Sequence, residues 1–226
     1  MYGCSIMPSV FSDGKGNGNP GFVHTFSRIA PTYEEKYGTK LSQAHDECLR
    51  ILSRWLCTSS PEGVLDIGCG TGALIERMFA QWPDARFEGV DPAQGMVDEG
   101  AKRRPFASFV NGVAEALPFP SQSMDLVVCS MSFGHWADKS AGLNEVRRVL
   151  KPQGLFCLVE NQPAGWGLTS LINWLLGSLA DYRSEHEVIQ LAQTAGLRSM
   201  ETSITDQHVI VATFRPCFGG GSEHGR

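Results

Sequence analysis

At 226 residues, 42% of them hydrophobic, the chain is long enough to form one α/β domain with a full core. A net charge of −5, with no basic cluster beyond Lys102-Arg103-Arg104 and Arg147-Arg148-Lys151, excludes an extended polyanion-binding face, so nucleic acid is not expected as a partner. Seven cysteines, scattered and never spaced C-x-x-C, speak against a disulfide framework and a zinc site, and no run approaches the roughly 18 apolar residues of a membrane span. Met1–Val10 lacks the basic and apolar regions of a signal peptide, so a reducing, cytoplasmic setting without membrane attachment is expected.

In chain order, Ser12–Gly21 holds four glycines among Ser, Asp, Lys, Asn and Pro, and Gly219–Arg226 is similar. Neither carries enough apolar surface to offset the entropy of ordering, so residues 1–21 and 217–226 are expected to be disordered tails around a single domain at 22–216. Leu41, Ala44, Cys48, Leu52 and Trp55 recur at helical spacing and predict a first amphipathic helix over Leu41–Cys57.

Beyond Pro61 short apolar strands alternate with helices. Strands are predicted at Gly63–Ile67, Arg86–Val90, Ser108–Asn111, Asp125–Ser130 and Gly154–Glu160, and helices at Ala73–Trp82, Gln94–Arg104 and Ser140–Leu150. This alternation implies parallel strands with right-handed crossovers, that is, a Rossmann-like doubly wound sheet. Residues 161–183 are too many for an ordinary linking loop, and an insertion at a carboxyl edge is expected to cap a site. Ser184-Glu185-His186-Glu187 reads as a capping box opening a helix that ends at Ala195-Gly196. The runs Leu197–Ile204 and His208–Phe214 are separated by three residues, too few for a crossover, and so predict an antiparallel hairpin that completes a seven-stranded sheet.

Val64-Leu65-Asp66-Ile67-Gly68-Cys69-Gly70-Thr71-Gly72 sets a glycine-rich turn between a buried strand and a helix, where a backbone must turn tightly and approach a ligand closely. Asp91 closes the second strand 19 residues after Gly72, where a carboxylate can accept from both hydroxyls of an adenosine ribose. The plainer alternative is a tight strand-to-helix turn, with Asp91 capping the next helix.

The segments VLDIGCGTG, GVDPAQGMV, NGVAEALPFPSQSMDLVV and EVRRVLKPQGLFCLVE, in that order and spacing, resemble the successive motifs of class I S-adenosylmethionine-dependent methyltransferases. The likeness covers about Phe26 to Phe214 and is strongest to the branch with ubiquinone, menaquinone and biotin-pathway methyltransferases, whose opening Phe26-Ser27-Arg28-Ile29-Ala30-Pro31-Thr32-Tyr33 also resembles. The resemblance implies S-adenosylmethionine as cofactor and no metal. It places Asp66, Gly68 and Gly70 around the methionine moiety, Asp91 on the ribose, Met96 against adenine, Ala114 and Glu115 beside the adenine edge, and Ser130 near the sulfonium, with Cys69 and Pro92 also among the cofactor-binding residues. Many relatives carry an Asp between the equivalents of Gly112 and Ala114; here it is Val113.

The chemistry of the residues agrees with those roles. The cofactor carries an ammonium, a carboxylate and a sulfonium, which suit an acid such as Asp66 together with the amides at a helix start. Phe133-Gly134-His135-Trp136 follows the fourth strand at the carboxyl edge, where open α/β sheets bind ligands. His135 is either a general base for the acceptor or a pocket-wall residue, and relatives often have a second His where this chain has Gly134. Tyr33 and Tyr37 could fold over the cofactor as a lid or form an ordinary packed helix face. Trp136, Asn161 and Trp166 are candidates for the acceptor pocket. His24, His45, His186 and His208 form no recognised ligand spacing and read as structural or solvated.

Methyl transfer to a small-molecule acceptor by in-line displacement is the function these features support. A nicotinamide-dependent oxidoreductase is the rival reading, because Gly68-x-Gly70-x-x-Ala73 also fits the relaxed dinucleotide fingerprint. A cofactor-binding protein without catalysis is the third. Asp66, the Ala114–Phe119 loop and the final hairpin favour the first.

Overall fold

The computed structural model describes residues 20–162, 183–205 and 208–217. Seven strands form one sheet: β1 Gly63–Ile67, β2 Arg86–Asp91, β3 Ser108–Asn111, β4 Met124–Ser130, β5 Leu150–Asn161, β6 Leu197–Ile204 and β7 Val209–Pro216. They lie in the order β3-β2-β1-β4-β5-β7-β6. The first five are parallel, and β7 runs antiparallel to both β5 and β6. The predicted hairpin therefore inserts its second strand next to β5 and leaves β6 at the edge.

The helices are α1 Pro20–Ile29, α2 Tyr33–Trp55, α3 Ala73–Gln81, α4 Gln94–Arg103, α5 Lys139–Val149 and α6 Glu185–Thr194. Alternate residues of the central strands feed two cores. Leu65, Ile67, Val127 and Cys129 pack with α5 and α6 residues such as Leu143, Val146 and Val188, while Val64, Leu126 and Val128 pack with Cys48, Ile51 and Leu52 of α2 and Ile75 and Met78 of α3. Asp66 interrupts the second of these apolar rows at 2% exposure, so β1 buries a carboxyl where packing alone would place an aliphatic side chain. The chain order reverses between β1 and β4, which fixes the ligand crevice at their carboxyl ends.

Three expectations are corrected. The first amphipathic helix starts at Tyr33 rather than Leu41: its inward stripe continues through Tyr33, Tyr37 and Leu41 at four-residue spacing, and Glu34 and Glu35 suit its positive N-terminus. An additional helix, α1, begins at Pro20, just inside the expected tail. It is held by Val23, Phe26 and Ile29 against Ala93 and Met96. Strand β5 also starts earlier, at Leu150, because Lys151–Gly154 bulge out between the Met124 and Leu126 pairings of β4.

The capping box at Ser184 and Glu187 is present in full. Residues 1–19 and 218–226 of the expected tails, and 163–182 of the expected cap with Trp166, lie outside the described residues. Among the described residues no helix is long and apolar enough to cross a membrane.

Candidate active site

The glycine turn after β1 is tied to the end of β2, with the Gly68 and Cys69 amides donating to Val90 O at 2.8 and 3.2 Å. Its glycines serve different needs. Gly68 has φ +71°, and a Cβ there would stand 2.3 Å from the side chain of Ser132, whose hydroxyl is committed to Ile67 O at 2.7 Å. Gly68 is thus required by packing within the protein. Gly70, at φ +54°, faces open space: the nearest atom to a Cβ built there is Tyr33 Cε1 at 3.9 Å.

Around this open side lies a cleft of roughly 420 Å³ including its mouth, lined by Tyr33, Leu41 and His45 of α2, by the glycine turn, and by Asp66, Ser130 and Met131. Asp66 Oδ1 and Ser130 Oγ are buried without a hydrogen-bond partner among the described residues. Burial, with the charge of Asp91 added, pushes the Asp66 carboxyl up to about 8. Asp91 accepts from the Ala93 amide at 2.8 Å and from the Gly70 amide at 2.9 Å. Burial raises it to about 6 against the opposing effect of these two donors. Asp91 is therefore both a clamp on the glycine turn and a carboxylate with lone pairs to spare, whereas the cap position of α4 falls on Ala93 with no side-chain bond.

The remaining expected residues divide. Tyr33 stacks at an angle on Tyr37, with centroids 5.1 Å apart, and burial near the charge of Asp91 raises its phenol to about 12. Met96 is buried against Ala30 and Ala93. Pro92 is exposed, and its carbonyl accepts from Asn111 Nδ2. Cys69 lines the cleft, while its Sγ sits so close to Gly89 that a Cβ there would come within 2.8 Å.

Trp136 is a correction. It is a core residue at 8% exposure, lodged where Gly142 leaves room for its indole, and it contacts Phe133 edge-on at 5.0 Å. Ala114 belongs to the same core. Glu115 accepts from the Asp138 amide at 2.9 Å and so braces the start of α5. His135 is exposed on a one-turn helix, 6.4 Å from the ring of Phe26. Asn161 closes β5, its amide donating to Glu160.

One histidine read from the sequence as structural or solvated proves to line the cleft, and three further residues of this region escape a reading of the sequence. His45 is a cleft residue, and burial followed by the charge of Arg77 lowers it to about 4. Glu160, 3% exposed, accepts from the Gly134 and Asn161 amides and fixes the turn that carries His135. The signal for it was present: like Asp91, it is an acid closing a parallel strand at the carboxyl edge. Glu34 and Arg104 meet at 2.8 Å across 70 residues, a pairing no local pattern announces.

Residues 64–154 match the family described as a methyltransferase domain. The chain is 28% identical over 61% of its length to the ubiquinone/menaquinone biosynthesis C-methyltransferase of Campylobacter jejuni, covering 62% of that protein. It is 30% identical over 78% of its length to the malonyl-[acyl-carrier protein] O-methyltransferase of Dechloromonas aromatica, covering 65% of it. The chain thus spans a little under two thirds of the length of these relatives. A SAM-dependent methyltransferase from Aquifex aeolicus has the same fold, with a TM-score of 0.58 and 17% identity over 68% of this chain and 81% of that one. Residues 64–154 thus carry a methyltransferase domain, and in its motifs and sheet the chain is similar to the class I S-adenosylmethionine-dependent methyltransferases, near the branch of the quinone and biotin-pathway enzymes.

Proposed function

We propose that this protein transfers the methyl group of S-adenosylmethionine to a nucleophilic atom of a small molecule. The observation that carries the reading is Asp66 Oδ1, a buried acceptor without a partner among the described residues, in the cleft that Gly70 also lines. A buried carboxyl left in this way is costly unless a cationic donor meets it, and an α-ammonium group is such a donor. The donor set fits the cofactor at each end: Asp66 for the ammonium, the lone pairs left on Asp91 for the ribose hydroxyls, and Ser130 Oγ toward the sulfur. Pro92, Met96, Ala114 and Glu115 would border the adenine.

The bound cofactor supplies a methyl carbon activated by a sulfonium leaving group. The residues of this chain hold, orient and dry. Tyr33 covers the glycine turn from α2, Leu41 lines the cleft with apolar surface, and the Glu160-anchored turn presents His135 to the acceptor side. Holding acceptor and methyl in line accounts for most of the rate that such a site must provide. The relatives named for quinone C-methylation and for malonyl-carrier O-methylation support an acceptor outside nucleic acid.

Against a nicotinamide enzyme stands the sheet itself, since β7 enters antiparallel between β5 and β6 where a dinucleotide fold continues in parallel. Calorimetry tests the reading: S-adenosylmethionine or S-adenosylhomocysteine should bind with micromolar affinity and NAD much more weakly. Tighter binding of NAD would overturn the reading. Transfer of labelled methyl from the cofactor into metabolite extracts would then reveal the acceptor.

A further inference from the structure

We infer that Glu34, Thr71 and Arg104 form a latch that holds Tyr33 over the cleft, and that α2 bends at Gly38 to release it. The inference rests on the cofactor reading above and concerns how the site opens and closes.

Arg104, directly after α4, is 4% exposed. Its Nη1 donates to Glu34 Oε1 at 2.8 Å and to Thr71 O at 2.9 Å, and its Nη2 donates to Glu34 Oε2 at 3.2 Å and to Glu76 Oε2 at 2.7 Å. Thr71 Oγ1 donates to the same Glu34 Oε1 at 2.5 Å. One guanidinium and one hydroxyl therefore join the first turn of α2 to the glycine turn. Burial raises the Glu34 carboxyl, but the bonds from Arg104 and Thr71 outweigh that effect and hold it below its ordinary range.

Glu34 directly follows Tyr33, the residue nearest the open side of Gly70, so whatever fixes Glu34 fixes that ring. Arg103 reinforces the junction by donating to Pro31 O at 2.9 Å. Thr71 belongs to the turn that would hold the cofactor, and its hydroxyl makes the latch sensitive to how that turn is set.

Gly38 supplies the other half of the device. It lies inside α2, between the Tyr33–Tyr37 pair and the part of the helix anchored in the core by Ala44, Cys48 and Leu52. A Cβ at Gly38 would meet nothing within 4 Å, so packing does not require glycine there. Glycine in a helix interior weakens it relative to alanine. The weak point falls between the latched turn and the anchored body, where a bend would swing Tyr33 away from Gly70 and leave the core intact.

The test uses the whole chain. In the cofactor-free protein, Glu34→Gln and Thr71→Val should speed hydrogen exchange of the amides of residues 24–37 by about fivefold or more, without change in α3 or α6, while Gly38→Ala slows it. With S-adenosylhomocysteine as probe in stopped flow, the first two variants should release it about tenfold faster. Gly38→Ala should slow both association and release by about fivefold, with affinity within about twofold of the parent. Unchanged exchange and unchanged release in Glu34→Gln and Thr71→Val would overturn the latch. A Gly38→Ala protein that melts higher yet keeps both rates would overturn the bend. Failure of the parent chain to bind the probe would refute the cofactor reading, and the exchange measurement would still decide the latch.

Discussion

Asp66 on β1 and Asp91 on the adjacent β2 stand close enough for the charge of Asp91, added to the larger effect of burial, to raise the Asp66 carboxyl to about 8. A buried carboxyl placed this way, with Oδ1 unpartnered among the described residues, works against the stability of the cofactor-free chain. Asp66 makes sense as half of a cation site.

Asp66 carries a folded value of about 8 against an ordinary 3.8, so between those limits the folded chain keeps a proton that the unfolded chain has lost. Stability must then fall as pH rises through that window, and the contribution is fully present only below it. Thermal melting of the cofactor-free protein should therefore decline from about pH 5 to about pH 8, and the decline should be smaller in Asp66→Asn. Meeting an ammonium requires the ionised form, so S-adenosylmethionine should release close to one proton on binding near pH 7 and bind more tightly toward pH 8. Calorimetry in two buffers of different ionisation enthalpy counts that proton. A count of zero in the parent chain would dismiss Asp66 as the ammonium's partner.

The glycine turn separates binding from folding. Gly70→Ala puts a methyl group into the open side of the cleft and forces φ +54° on alanine, a strain of about 1–2 kcal/mol. Its loss of S-adenosylhomocysteine affinity should exceed its loss of stability. Gly68→Ala drives a Cβ to 2.3 Å from Ser132 in addition to a similar strain, so its damage should appear first in the melting temperature. Equal melting temperatures for the two variants would contradict this division.

Asp91→Ala removes the acceptor for both the Gly70 and Ala93 amides. It should lower stability by about 1–3 kcal/mol, the range for buried donors left unsatisfied, as well as weaken cofactor binding. Asp91→Asn keeps a carbonyl for one of the amides and should recover part of the stability while binding stays weak. A variant that loses affinity with its melting curve intact would show that the clamp on the glycine turn contributes nothing.

The parallel strands were legible because each is a short apolar run bounded by turn residues, and the cleft because Gly68–Gly72 and Asp91 fall at fixed places on that pattern. What local sequence concealed was long-range. Trp136 reads as a pocket aromatic until Gly142, six residues on, is seen to make room for it in the core. Arg104 reads as one of three basic residues before a proline, and only the fold brings Glu34 to it. The start of α2 was hidden by the polar face of Glu34–Thr39, since its buried stripe there is only two tyrosines wide.

His135 decides what happens on the acceptor side. Its turn is held from below, with Glu160 accepting from the Gly134 amide at 3.0 Å and Lys139 Nζ donating to Gly134 O and Trp136 O at 3.3 Å each. Its ring, exposed, stands beside Phe26 of α1, at the seam between the N-terminal helices and the sheet edge. A histidine set at a rim and braced through its backbone suits a wall that orients the acceptor, and displacement from a sulfonium needs placement more than proton removal. His135→Asn should accordingly leave S-adenosylhomocysteine affinity unchanged, raise KM for whichever acceptor the labelled screen yields, and keep the shape of the pH profile. Glu160→Gln should act in the same direction through the turn it holds. A fall in kcat of about a hundredfold in His135→Asn, together with loss of the acid limb of the profile, would make His135 the base instead.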